Sequence, residues 1–118
     1  MPKVMVIEDD PTMLSLLGTL LELEGFTATK MREAENYLAE IEAEKPDLIF
    51  LDVNLSGING LSLLEQIRAT ESFQGLQVIM SSGMDYQDVC MDKGADGFIL
   101  KPFMPDELIE LTRQLLGM

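Results

Sequence analysis

The feature that most constrains the fold of this chain is a regular alternation of short apolar runs with longer amphipathic segments. Continuously apolar runs are typical of strands that are covered on both faces of a parallel sheet. Four such runs occur, and a more mixed stretch suits an edge strand. The runs are Val4–Ile7, Leu48–Leu51, Val78–Met80 and Phe98–Leu100, and the mixed stretch is Thr27–Met31.

The amphipathic segments carry signals for the start and end of helices. The first helix is expected to follow Asp10, an N-cap residue before Pro11, and to stop at Gly25. The second is expected from about Glu33 to Glu44, because Pro46 cannot continue a helix. The others are expected over 61–70, 85–94 and 105–116. Five strand–helix units predict an α/β fold, (βα)5, in which a doubly wound five-stranded parallel sheet has helices on both faces.

The composition excludes several classes of function. The 118 residues include 21 acidic and 8 basic side chains and no histidine, for a formal net charge of −13. This charge repels a phosphate backbone, so we expect no direct nucleic-acid binding. Without histidine, Ser-His-Asp and Cys-His catalysis are excluded, and the single thiol of Cys90 makes neither an internal disulfide nor a zinc site. No apolar stretch approaches the length of a membrane span, and we expect a single cytoplasmic domain with no membrane contact.

Polar side chains follow four of the five predicted strands. Glu8 and Asp9 follow the first, Asp52 the third, Ser82 the fourth and Lys101 the fifth. Ligands of open α/β sheets bind beyond the carboxyl ends of the strands. In a flavodoxin-like strand order 2-1-3-4-5 the first and third strands are neighbours, so the three carboxylates converge. Clustered carboxylates repel one another unless a cation binds between them, and oxygen-only ligation favours a hard divalent ion such as Mg²⁺.

Four motifs occur in order along nearly the whole chain. They are Val6-Ile7-Glu8-Asp9-Asp10, Asp52-Val53-Asn54-Leu55-Ser56-Gly57-Ile58-Asn59-Gly60, Ser82-Gly83 and Lys101-Pro102-Phe103. Together they resemble the receiver domain of two-component response regulators. The resemblance implies that residues 1–118 form a single receiver domain. It also implies that Asp52 accepts a phosphoryl group from a sensor histidine kinase or a phosphotransfer protein, and that the altered surface then controls an effector or partner protein.

The resemblance implies a Mg²⁺ site as well. Its ligands would be the side chains of Glu8, Asp9 and Asp52 and the backbone carbonyl of Asn54. The domain would then phosphorylate and dephosphorylate itself in Mg²⁺-dependent reactions, as a phospho-acceptor rather than an enzyme. A carboxylate nucleophile is compatible with this chemistry, because phosphoryl transfer depends mostly on positioning and on neutralising charge.

Further roles follow from the same resemblance. Ser82 and Lys101 are implied to bind the phosphoryl oxygens. Ser82 is also implied to act in a conformational switch with an aromatic side chain on the last strand, which here is Phe98. The peptide bond between Lys101 and Pro102 is commonly cis in the family, and sequence alone does not show its isomer.

Three departures from the family pattern concern the loops. Ser56 stands where proline is common, and Asn59 stands where an aspartate often precedes Gly60, so we expect a softer loop after Asp52. The segment Ser82–Gly94 is about one helical turn shorter than usual. It includes the fourth helix, which most receivers use for partners or dimers. The resemblance therefore supports the phosphorylation chemistry more directly than the output, and homodimer formation is left open.

Other protein classes share parts of this pattern. An EF-hand would begin like Asp52-x-Asn54-x-Ser56-Gly57, but Leu63 stands where a bidentate glutamate is needed. A haloacid-dehalogenase-type phosphatase would carry its nucleophile on the first strand and would need cap elements. A flavodoxin relative would need a phosphate loop after Ile7. The stronger alternative is a pseudo-receiver, an interaction module that works without phosphorylation, although neither the acceptor nor the lysine is missing.

Overall fold

A parallel five-stranded sheet forms the centre of the protein. The computed structural model describes residues 1–55 and 57–118. The sheet strands are β1 (Lys3–Ile7), β2 (Thr27–Met31), β3 (Leu48–Asp52), β6 (Gln77–Ser82) and β7 (Gly97–Leu100), and a separate two-stranded hairpin consists of β4 (Asn54–Leu55) and β5 (Ile58–Asn59). The sheet order is β2-β1-β3-β6-β7, with every neighbouring pair parallel. When only the five strands of this sheet are numbered along the chain, their order is 2-1-3-4-5, as predicted. The stretch Thr27–Met31 forms an edge strand, as expected.

Helices cover both faces of the sheet. They are α1 (Pro11–Leu23), α2 (Tyr37–Glu44), α3 (Gly60–Ala69), α4 (Gln87–Asp92) and α5 (Pro105–Leu115), and a short 3₁₀ helix spans Glu71–Phe73. Apolar side chains of α1 and α5 share one buried cluster with the sheet. Those of α2, α3 and α4 share the other. The predicted doubly wound architecture is therefore confirmed. Among the described residues, no helix is long and apolar enough to span a membrane.

The N-cap of α1 determines where the polar residues after β1 lie. The Asp10 side chain accepts the backbone N–H of Thr12 at 2.9 Å, which caps the helix immediately after β1. Leu14, Leu17 and Leu21 form its buried stripe. The cap keeps Glu8 and Asp9 in the short turn between strand and helix, at the carboxyl edge of the sheet.

Three predicted boundaries are wrong. The second helix begins at Tyr37 rather than at about Glu33, because the side chain of Asn36 accepts the N–H of Ala39 at 3.1 Å and caps the helix there. Strand β6 extends to Ser82, since the Ser81 hydroxyl donates to the carbonyl of Ile99 at 2.9 Å and so is accommodated inside the sheet. The fourth helix is confined to Gln87–Asp92 and is shorter than expected.

We expect replacement of one buried hydroxyl group, that of Thr112, to stabilise the protein. Thr112 of α5 is fully buried, and its Oγ1 has no hydrogen-bond partner within residues 1–55 and 57–118. A buried polar group without a partner costs free energy that a methyl group of the same shape does not. We expect Thr112→Val to raise the free energy of unfolding by about 1 kcal/mol in urea denaturation. Thr19→Val, at an exposed position of α1, is the matched control and is expected to change it much less. A loss of stability in Thr112→Val would contradict the prediction.

Candidate metal and phospho-acceptor site

The predicted polar residues meet at the carboxyl edge of four neighbouring strands. Glu8 follows β1, Asp52 ends β3, Ser82 ends β6, and Lys101 follows β7. Parallel strands point their carboxyl ends to the same edge, so residues far apart in sequence converge there. The predicted convergence of these polar side chains at one edge of the sheet is therefore present in the structure.

Three carboxylates form the centre of this site. Glu8, Asp9 and Asp52 each offer an oxygen, and these oxygens all lie within 4.8 Å of one another. Glu8 and Asp52 are buried, with 2% and 5% of their surface exposed, whereas Asp9 is half-buried. An all-oxygen set of carboxylates fits a hard divalent cation such as Mg²⁺, which keeps several waters and needs few protein ligands.

Lys101 supplies a cation beside the carboxylates. Its Nζ donates to Glu8 Oε2 at 3.1 Å and to Asp52 Oδ2 at 3.3 Å. Burial lowers the pKa of Lys101, but its contacts with Glu8 and Asp52 outweigh that effect and raise the pKa above its ordinary value. Lys101 therefore stays protonated at neutral pH and offsets part of the negative charge.

The pKa of Glu8 shows that the positive charge of Lys101 does not neutralise the carboxylate cluster. Burial raises the pKa of Glu8, and repulsion from Asp52 adds to this, while the contacts with Lys101 act in the opposite direction. The backbone N–H of Asp10 also donates to Glu8 Oε1 at 3.3 Å. The net increase means that the site favours an additional positive charge, either a proton or a metal ion.

The carboxylate of Asp52 is held from two sides. Its Oδ1 accepts the backbone N–H of Asn54 at 3.3 Å, while its Oδ2 accepts from Lys101. Asn54 itself is exposed and pairs with Asn59 across the β4–β5 hairpin. These two contacts orient the carboxylate, and the role of the Asn54 carbonyl as a metal ligand stays a prediction.

Ser82 lies at the end of β6, the strand next to β3, and Phe98 lies on β7, the strand beyond β6. Ser82 is fully buried, and its Oγ accepts the backbone N–H of Met84 at 3.1 Å. Phe98 is half-buried on β7, opposite Met80, and packs against the apolar cluster beneath α2, α3 and α4. The Lys101–Pro102 peptide bond is cis. The switching roles of Ser82 and Phe98 stay predictions.

The segment after Asp52 contains a short antiparallel pairing, and the expected softness of this loop stays a prediction. Ser56 lies outside the described residues, but the residues around it pair as the β4–β5 hairpin. Asn59 caps α3 by accepting the N–H of Leu61 at 2.8 Å, as a side-chain oxygen of Asn, Asp or Ser does at an N-cap. The N–H of Gly60 donates to the carbonyl of Val53 at 2.7 Å and closes the loop on itself.

Comparison with known proteins identifies the family. The sequence model described as "Response regulator receiver domain" matches residues 4–113. This chain belongs to the response regulator receiver family. The fold and the order of the motifs agree with the resemblance noted in the sequence, while the extent of the domain over residues 1–118 stays a prediction.

Relatives of this receiver domain are longer proteins. The nitrogen assimilation regulatory protein NtrX of Azorhizobium caulinodans is 36% identical over 96% of this chain and 26% of its own length. The DNA-binding response regulator MtrA of Mycolicibacterium smegmatis is 32% identical over 97% of this chain and 50% of its own length. The receiver domain therefore spans between a quarter and a half of these relatives.

Solved receiver structures overlap the whole fold. The receiver domain of NtrX from Brucella abortus is 31% identical, with a TM-score of 0.87 and coverage of 98% of both chains. The receiver domain of the Francisella response regulator 1452 is 28% identical, with a TM-score of 0.91 and coverage of 99% of this chain and 98% of that one. The sheet and its covering helices therefore agree with these solved receiver domains over nearly the whole of each chain.

Proposed function

We propose that this receiver domain is a Mg²⁺-dependent phospho-acceptor in two-component signalling. Asp52 accepts the phosphoryl group from a sensor histidine kinase or a phosphotransfer protein, and the changed surface controls an effector domain or partner protein. The observation that carries this proposal is the setting of Asp52. Its buried carboxylate belongs to a cluster of three carboxylates suited to a divalent ion and accepts a hydrogen bond from the Lys101 ammonium group.

The transfer step uses the groups that surround Asp52. A carboxylate oxygen forms a bond to phosphorus while the bond between phosphorus and the donor breaks, which yields an acyl phosphate and the free donor. An ionised carboxylate needs no base to activate it, so the absence of histidine is no obstacle. Lys101 Nζ, at 3.3 Å from Asp52 Oδ2, lies within reach of phosphoryl oxygens attached to Asp52. When bound, Mg²⁺ would neutralise charge on the phosphoryl oxygens.

Individual residues of the site have separate tasks in this proposal. Glu8, Asp9 and Asp52 would hold the metal, and the backbone carbonyl of Asn54 would complete the protein ligands. The buried hydroxyl of Ser82 binds a phosphoryl oxygen. By these contacts the domain promotes its own phosphorylation from small donors and its own hydrolytic dephosphorylation, without acting as an enzyme on other molecules.

The output step starts from the added charge. An acyl phosphate brings close to two negative charges to the edge of the sheet. Movement of Ser82 toward it changes the hydrogen bond to Met84 and with it the loop that leads to α4. Of the six residues of α4, only Cys90 is buried, so few contacts hold this helix in place. We propose that Phe98, on the adjacent strand, repacks in the same step.

The partners follow from the same mechanism. The net charge of −13 argues against nucleic-acid contact by this domain, even though MtrA is described as a DNA-binding protein. The proposed partners are the phosphoryl donor and the effector. Cytoplasmic localisation stays a prediction, and homodimer formation stays open.

Incubation with acetyl phosphate tests the proposed function. With Mg²⁺ present, intact-mass spectrometry is expected to show an adduct of one phosphoryl group. The adduct is expected to be absent when a chelator replaces the metal. Failure of the wild-type domain to form any adduct would favour a pseudo-receiver that works without phosphorylation.

Metal binding has its own readout in protein stability. Mg²⁺ is expected to raise the free energy of unfolding of the wild-type domain by about 2.7 kcal/mol when its concentration is a hundredfold above the Kd. Asp9→Asn removes one carboxylate from the cluster, so we expect its Kd for Mg²⁺ to increase at least about tenfold. Urea denaturation with and without Mg²⁺ measures both effects.

Asp88→Asn is the matched control, because this exposed carboxylate lies on α4 outside the cluster. It is expected to retain the full stabilisation by Mg²⁺. Equal responses of Asp9→Asn and Asp88→Asn would show that the cluster is not the metal site.

A further inference from the structure

Gly60 lies against the backbone of the proposed phospho-acceptor. A Cβ atom placed on Gly60 would overlap the carbonyl oxygen of Asp52 and would lie 2.8 Å from Val53 Cα and 2.9 Å from the Val53 carbonyl oxygen. All three are main-chain atoms, so no side-chain rotation relieves the overlap. A side chain at this position would displace the peptide bond that links Asp52 to Val53.

Position 60 requires glycine because a side chain has no space there. Gly57, at the turn of the β4–β5 hairpin, has a φ of +81°, which L side chains rarely adopt. Gly60 has no such φ, since it is the first residue of α3 and only its surroundings exclude a side chain. Close approach of one main chain to another is the second physical reason for a glycine.

The contact of Gly60 is linked to the reactive groups through two hydrogen bonds. The N–H of Gly60 donates to the Val53 carbonyl at 2.7 Å, which fixes the start of α3 to the residue after Asp52. The N–H of Asn54 in turn donates to Asp52 Oδ1. A shift of the Asp52–Val53 peptide therefore moves both the acceptor carboxylate and the backbone of Asn54.

We propose that Gly60 is a positioning residue for the phospho-acceptor site. By letting α3 begin directly against the Asp52–Val53 peptide, it sets the orientation of the Asp52 carboxylate and of the Asn54 backbone. The inference rests on the proposed function for its catalytic part, whereas its effect on metal binding is independent of phosphorylation.

The test compares Gly60→Ala with two control variants. Calorimetric titration with Mg²⁺ and the rate of phosphorylation by acetyl phosphate at saturating Mg²⁺ are measured for each protein. Gly60→Ala is expected to bind Mg²⁺ at least about tenfold more weakly and to react at least about tenfold more slowly. Circular dichroism checks that each variant is folded, and sucrose is added to all samples to favour the folded state.

The controls separate positioning from general stability. Gly83→Ala changes a glycine at the same edge of the sheet, directly after Ser82, where a Cβ meets nothing within 4 Å. Asn59→Ala removes the N-cap side chain of α3 and so destabilises the same helix. It places no additional atom against the backbone of Asp52. Both are expected to keep the Mg²⁺ affinity and the rate within about twofold of wild type.

Two results would overturn the inference. One is a folded Gly60→Ala whose affinity and rate match wild type. The other is a Gly60→Ala that stays unfolded in sucrose, which would assign the residue to fold stability alone. If the wild-type domain forms no adduct, the proposed function fails, yet the Mg²⁺ titration still decides the positioning role of Gly60.

Discussion

Asp52→Asn is expected to abolish formation of the phosphoryl adduct from acetyl phosphate. The amide has nearly the shape of the carboxylate, but it lacks the anionic oxygen that attacks phosphorus. Its neutral oxygen also reduces the attraction for a divalent cation in the cluster. We expect the rate to fall by at least about 100-fold, which corresponds to about 2.7 kcal/mol of activation free energy. Intact-mass spectrometry over time measures the loss.

Asp47→Asn is the matched control for this experiment. Asp47 directly precedes β3, at the opposite end of the strand from Asp52, and its exposed carboxylate accepts the backbone N–H of Lys3 at 2.7 Å. The control is expected to react at the wild-type rate. An adduct that persists in Asp52→Asn would place the acceptor elsewhere and contradict the assignment.

Lys101→Met is expected to cause the largest loss of stability among single changes at the site. Methionine keeps the length of the side chain but removes the charge that contacts Glu8 and Asp52, both of which are buried. Removing one partner of a buried ion pair leaves an uncompensated charge. We expect the free energy of unfolding in the absence of Mg²⁺ to fall by about 3 kcal/mol at neutral pH. Phosphorylation by acetyl phosphate is expected to be lost as well.

The pH dependence of this loss identifies its cause. Burial and repulsion from Asp52 already raise the pKa of Glu8, and removing the lysine raises that pKa further. The folded state then holds a proton that the unfolded state releases, so stability falls as pH rises through the folded pKa and recovers as pH falls. Urea denaturation across this range is expected to show the deficit of Lys101→Met shrinking toward acidic pH.

Lys93→Met gives the reference for an ordinary ion pair. Lys93 contacts Glu65 at 3.3 Å, where more than half of the glutamate side chain is exposed. Its removal is expected to cost less than about 1 kcal/mol at any pH. A deficit of the same size and pH dependence in both variants would show that the Lys101 contacts have no special role.

The architecture was predictable because its signals are local and periodic. Runs such as Leu48–Leu51 identify the buried strands, and the capping pair Asp10 and Pro11 identifies the start of α1. Errors occurred where a tertiary contact or a second cap decided the boundary. Asn36 starts α2 later than the apolar pattern suggested, and the hydrogen bond of Ser81 to Ile99 lets β6 continue through polar residues.

The candidate site was predictable for a topological reason. Once the strand order brings β1 and β3 together, the residues that follow them must meet, so Glu8, Asp9 and Asp52 could be grouped from sequence alone. Gly60 could not be distinguished in this way, because its importance depends on a main-chain approach between segments. In the sequence Gly60 was noted only as the last residue of the motif that begins at Asp52, directly before the helix predicted over 61–70.

Chemical mapping of the phosphorylated residue tests the central claim most directly. Borohydride reduces an acyl phosphate to an alcohol and leaves free carboxylates unchanged, so peptide sequencing by mass spectrometry locates the modified residue. After incubation with acetyl phosphate and Mg²⁺, the reduced residue is expected at Asp52 and is expected to be absent when a chelator is present. Reduction at another carboxylate, or equal labelling of Asp52 without metal, would contradict the assignment of Asp52 as a Mg²⁺-dependent phospho-acceptor.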